Sequence, residues 1–172
     1  VQALNTGSSE GGVPNIGLLI CLLGAVTLVY GEVMALRQQD IKRLLAYSTM
    51  GQVGEIALTL GLFSWLAMGG ALLHVLNHAI MKDLLFLCSG ALILRAGTHR
   101  LSDLAGLGKA MPFTAVCMVI GLLSILGLPP FAGFMRKFMM LYALAAVNPP
   151  LAAIMLLARL AGVIYYSRIF KT

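Results

Sequence analysis

Apolar runs of roughly twenty residues, separated by short polar or proline-rich breaks, follow one another along nearly the whole chain. A helix that crosses a bilayer needs about 20 mostly apolar residues. Six runs meet or approach that length: 16–36, 41–63, 66–94, 111–128, 129–147 and 151–170. Strands of a membrane barrel alternate over about ten residues, whereas these runs are continuous. The expected class is all-α, a polytopic transmembrane helical bundle of about six helices. A polar segment, 1–15, precedes a transmembrane module, 16–170. Composition agrees: of 172 residues, 60% are hydrophobic and 10% charged. That excludes a water-soluble enzyme, a nucleic-acid-binding domain and a disordered tail as readings of the whole chain.

The net charge of +6 is spread between the runs, as anchors in short loops are. If all six runs cross, Arg37, Lys42, Arg43, Arg95, Arg100 and Lys109 share one side, and Arg168 and Lys171 fall on the other. Cys21, Cys88 and Cys117 lie singly in apolar runs, without metal-ligand or disulfide spacing. The first fifteen residues are too polar for a cleavable signal peptide. Val1 in place of Met leads to the expectation that the chain is a segment of a longer protein.

Ionisable residues inside a span cost about 2.5–3.5 kcal/mol each at the helix centre, so each is a functional candidate. His74, His78 and Lys82 follow i, i+4, i+8 spacing, which puts them on one helical face, with Asn77 beside them. Two imidazoles and an amine in line can pass a proton stepwise, because imidazole exchanges protons near neutral pH and a desolvated amine gives its proton up. The competing reading is a set of buried polar groups that bond neighbouring helices. A zinc site on His74 and His78 would need a third ligand that the spacing does not offer. Asp83 diverges from Lys82 and is expected to pair with a neighbouring helix.

A second cluster is Gly127-Leu-Pro129-Pro130-Phe-Ala-Gly133-Phe-Met-Arg136-Lys137. Prolines and glycines at a helix start free backbone carbonyls, a device found at ion sites in transporters. Arg136 and Lys137 lie about 100° apart on a helix. Lys137 is expected inside and Arg136 outside, since only lysine can release a proton. A tight inter-helix turn with both cations reaching the headgroups is the plainer reading. Glu55 is a candidate proton acceptor or counter-ion, and Glu32 and Arg159 are each candidate halves of an inter-helix ion pair.

Three stretches together resemble one family: Asp40-Ile-Lys-Arg-Leu-Leu-Ala-Tyr-Ser-Thr49, His74-Val-Leu-Asn-His-Ala-Ile-Met-Lys-Asp-Leu-Leu-Phe86 with Ser89-Gly90, and Leu128-Pro-Pro-Phe-Ala-Gly-Phe134 through Lys137. They are similar to the antiporter-like proton-pumping subunits of respiratory complex I, of membrane-bound, formate hydrogenlyase-type hydrogenases, and of Mrp cation/proton antiporters. The resemblance implies half of an inverted-repeat fold with one discontinuous helix at Leu128-Pro-Pro. It implies a proton relay of His74, His78, Lys82 and Lys137. From the residues themselves, Glu55, Glu32, Asp83, Arg136 and Arg159 are candidate auxiliary residues, and Asp83 and Glu55 stand where many members of the family have a neutral residue. The glutamate–lysine pair of the family's first repeat has no counterpart here. The implied partners are other membrane and peripheral subunits of a redox-driven complex and the lipid bilayer, with no nucleic acid. Quinone, flavin, iron–sulfur or nickel–iron centres are implied only in partner subunits, and none in this chain. The expected location is a bacterial or archaeal cytoplasmic membrane, ranked ahead of the mitochondrial inner membrane. Two rival functions are an Mrp-type sodium/proton antiporter subunit and a purely structural membrane subunit.

Overall fold

In the computed structural model, residues 16–127 and 133–170 are described. The polar segment 1–15, the Pro129-Pro130 break and Lys171 lie outside the described residues. The described residues form seven α-helices: α1 (Ile16–Arg37), α2 (Ile41–Leu60), α3 (Trp65–Ala96), α4 (Leu107–Ala110), α5 (Pro112–Leu126), α6 (Gly133–Val147) and α7 (Pro149–Phe170). A 3-10 turn, Leu101–Leu104, precedes α4.

Local chemistry sets these boundaries. The Asp40 carboxylate accepts from the backbone N–H groups of Lys42 and Arg43 at 2.9 and 3.1 Å and caps α2. Ser64 caps α3 through Ala67 N–H. Gly97 ends α3 and Gly127 ends α5, both left-handed at φ 70° and 76°, where a Cβ would be strained. Pro112 opens α5 at a position where no N–H is needed.

Helices α1 and α2 pack along a seam of small residues. A Cβ placed on Gly24 would run into the backbone of Leu58 and Ala57, and one on Gly54 into Leu28 and the Gly24 carbonyl. Gly31 and Gly51 meet in the same way. Where lipid removes the hydrophobic drive for association, such backbone contact supplies the adhesion. Residues of α1 and α2 beside the seam also belong to two apolar clusters. One joins Ala35, Leu44, Leu85, Met118, Leu122 and Ile125; the other joins Cys21, Leu28, Leu58, Met140, Leu144 and Met155.

These clusters reveal the course of the fourth and fifth apolar runs. Gly121 of α5 packs on Leu85, toward the end of α3, while Met140 of α6 packs on Gly70, toward its start. Gly133 sits directly against the Ser124 carbonyl and Gly127. The two 15-residue helices therefore continue one course, rather than turning back as two separate passes. The expected opposite placement of Arg168 changes with it: its guanidinium donates to the Leu36 carbonyl at 2.7 Å, at the end of α1 beside Arg37. The two loops at that end are joined as well, since Ile41 N–H donates to the His99 carbonyl and Leu101 N–H to that of Gln39.

Among the described helices, α1 and α7 are long and apolar enough to cross a membrane by length and composition. Helices α2 and α3 reach the length, but Gln52, Glu55, His74, His78 and Lys82 interrupt their apolar character. Helices α5 and α6 are each shorter than the ~20 residues of a full pass.

Candidate functional site

The 3.6-residue period delivers the α3 stripe as the spacing predicts. His74, His78 and Lys82 are all buried, and the two imidazoles stack with centroids 5.8 Å apart. The Lys82 ammonium donates to the Leu45 carbonyl at 3.0 Å and to Ser48 Oγ. It also reaches Tyr166 Oη at 3.5 Å and lies 5.9 Å from that ring's centroid. Lys82 is thus held by α2 and α7. Among the described residues no hydrogen bond joins it to Lys137, and no third His, Cys, Asp or Glu joins the imidazoles as a metal-holding group.

Arg136 departs from expectation. It is not the outward partner of Lys137: it is 1% exposed, and Lys137 is buried too. The 100° between them turns neither toward lipid, because α6 is enclosed on more than one side. Arg136 faces α3, where Nη1 lies 2.6 Å from His74 Nδ1 and donates to the His74 carbonyl at 3.3 Å. The Lys137 alkyl chain passes over Gly127, whose Cβ would come within 2.9 Å of Lys137 Cδ. The missing side chain at Gly127 makes that passage.

Glu55 and Arg159 form an ion pair between α2 and α7, with Nη2 at 2.6 Å and Nε at 3.2 Å from the same carboxylate oxygen. The same Nη2 donates to the Lys137 carbonyl at 3.1 Å. Two other expected pairs are absent among the described residues. Glu32 is buried without a cation: its carboxylate lies against Gly51 of α2 and, near Gly162 of α7, beside Tyr165 Oη. Asp83 lies exposed on the outer face of α3, a quarter turn from Lys82, with no ion pair.

Ser48, Tyr165 and Tyr166 were not singled out by sequence reasoning. The available signal was a pair of hydroxyl-bearing rings inside an apolar run. Several buried polar atoms here have no hydrogen-bond partner among the described residues: His74 Nε2, both ring nitrogens of His78, Glu32 Oε2, Gln52 Oε1 and Tyr165 Oη. Such groups are costly in a dry interior, and clustered donors and acceptors of this kind suit a hydrated polar interior.

The arrangement is a buried row of titratable groups, crossing four helices at the level where α5 gives way to α6. The model of the NADH:quinone oxidoreductase/Mrp antiporter transmembrane family matches residues 10–163, and the chain belongs to that family. NADH-quinone oxidoreductase subunit N of Desulforudis audaxviator is 39% identical over 150 residues, 87% of this chain and 30% of that protein. Hydrogenase-4 component B of Escherichia coli is 42% identical over 133 residues, 71% of this chain and 20% of that protein. The solved archaeal membrane-bound sulfane sulfur reductase complex contains a chain with TM-score 0.85 and 35% identity, over 91% of this chain and 32% of that one. A chain of the Mrp complex from Dietzia sp. gives TM-score 0.85 and 28% identity, over 90% and 29%. The chain therefore spans a third or less of these relatives. By family it is an antiporter-like membrane chain.

Proposed function

We propose that this chain is the proton-translocating module of a redox-driven, multisubunit membrane complex. Protons move through His78, Lys82 and Lys137, with His74 at the end of the imidazole row. The observation that carries this reading is the buried row itself. Ionisable groups from α2, α3, α6 and α7 converge where the α5–α6 course is interrupted, and spans keep such groups only for a use that repays their cost.

The module comprises residues 16–170 and forms half of an inverted-repeat antiporter-like fold, in which α5 and α6 are one discontinuous helix. The polar segment 1–15 lies outside the module. Partner subunits carry the redox centres, and this chain contributes fixed and mobile charge. A charge change in a neighbour shifts the proton occupancy of Lys82 and Lys137, which repel each other across a low-dielectric interior. The host is a bacterial or archaeal cytoplasmic membrane. The Mrp-complex likeness favours a second reading, a sodium/proton antiporter subunit. Co-purification separates the two: iron–sulfur or hydrogenase subunits accompany a redox complex.

The decisive variants are Lys82→Ala and Lys82→Arg, read as protons moved per electron in the assembled complex. Arginine keeps the charge but cannot release its proton at working pH. Lys82→Arg is expected to fail nearly as badly as Lys82→Ala. Normal pumping by Lys82→Arg would reduce Lys82 to a fixed charge and leave the structural reading standing.

A further inference from the structure

Arginine is permanently charged and has only donors to offer. Arg136 is buried, and its Nη1 directs one hydrogen at His74 Nδ1 and the other at the His74 carbonyl. The ring nitrogen must therefore present a lone pair. An imidazolium has none, and would set two cations 2.6 Å apart. Among the described residues no carboxylate bonds Arg136: Glu55, the acidic group near both residues, is held by Arg159. Its other contact is a long one, Nη2 to Met81 Sδ at 3.9 Å.

We propose that Arg136 holds His74 as an uncharged imidazole protonated at Nε2. The proton route along α3 then runs through His78 and Lys82, and admits His74 only when Arg136 leaves it. Arg136 is a positioning residue, and the contact between α6 and α3 acts as a gate on the imidazole row. The charged and titratable groups that face His74 are Glu55 from α2, Arg136 and Lys137 from α6, and His78 on α3 itself. Among the described residues, only Arg136 is within hydrogen-bond reach of the ring. The routing rests on the proposed function, whereas the tautomer does not.

Nitrogen-15 NMR of histidine-labelled full-length protein in lipid vesicles tests the tautomer, with His74 assigned by its loss in His74→Gln. In the unmutated protein His74 is expected to stay neutral, with hydrogen on Nε2, between about pH 5 and 8. In Arg136→Gln, which keeps a donor and removes the charge, His74 is expected to gain a proton within that window. A native His74 that charges in this range, or that carries its proton on Nδ1, overturns the proposal, and this arm needs no Arg136 variant. Proton translocation by the assembled complex supplies the second arm. Arg136→Gln should add an acid limb falling about tenfold per pH unit, the slope of one titrating group. Adding His74→Gln should remove that limb, and its persistence also overturns the proposal. If the native complex moves no protons at all, the proposed function fails while the NMR result still decides the tautomer.

Discussion

The Glu55–Arg159 pair offers a quantitative test of how this interior is held together. Glu55 is 1% exposed and the Arg159 side chain 17%. Both guanidinium bonds fall on one carboxylate oxygen, and the other oxygen has no partner among the described residues. Replacing Arg159 with methionine keeps the volume and leaves a buried carboxylate unpaired, a change that typically costs about 3–5 kcal/mol. With Arg159 partly exposed the lower end applies, about 3 kcal/mol, or roughly a hundredfold in the folding equilibrium at ~1.4 kcal/mol per tenfold. The double variant Glu55→Gln/Arg159→Met removes both charges and should recover most of that loss. The assay is a double-mutant cycle by reversible SDS unfolding of the full-length protein in lipid–detergent micelles. A coupling of about 2 kcal/mol is expected, well above the ~0.6 kcal/mol average of ordinary interhelical hydrogen bonds in membranes. Additivity within about 0.5 kcal/mol would show that the pair carries no net stabilisation, and the reasoning would be wrong.

Two further outcomes follow from the same interior. Gly24→Ala puts a methyl group into the backbone of Leu58 and should cost about 1–3 kcal/mol, whereas Gly90→Ala, with nothing within 4 Å of its Cβ, should be neutral or stabilising by up to about 1 kcal/mol. The two thermal midpoints compare them directly, and equal shifts would refute the seam. Glu32 has no cation among the described residues, so Glu32→Gln should destabilise less than Glu55→Gln in the same unfolding assay. A larger loss for Glu32→Gln would mean that Glu32 is held by a charge after all.

Periodicity made the α3 stripe legible, because His74, His78 and Lys82 recur every fourth residue on an otherwise apolar helix. The apolar runs placed the starts of α2 and α3 at 41 and 66, against Ile41 and Trp65 in the structure, while the caps that set them, Asp40 and Ser64, became visible only in the fold. The course of α5 and α6 was not legible from the apolar runs, because a run counts residues and says nothing about whether the chain turns back at its break; the family resemblance alone implied one discontinuous helix there. For the same reason Arg168 was assigned to the wrong end. The side-by-side cations Arg136 and Lys137 follow helix geometry as expected, but that geometry cannot say that both directions lead inward. Which carboxylate would find a cation was equally hidden. Glu55 meets Arg159 104 residues away, and Glu32 lies against Gly51 and Tyr165 with no ion pair among the described residues, a choice made by helix packing rather than by local pattern.

The glycine seam divides the site mechanically. Gly24, Gly31, Gly51 and Gly54 bring two backbones so close that not even a methyl group separates them, so α1 and α2 cannot slide or roll past each other without collision. The anchors of Lys82, the Leu45 carbonyl and Ser48, stand on that welded pair. Arg136 stands on α6, three residues after Gly133, whose own backbone is pressed against the Ser124 carbonyl and Gly127 at the end of α5. The two sides of the doorway are thus braced by different contacts, one between α1 and α2 and the other between α5 and α6. Any strain delivered to this chain by a neighbour should appear as a change in the spacing between Ser48 and Arg136, which makes that distance the coordinate to label and follow.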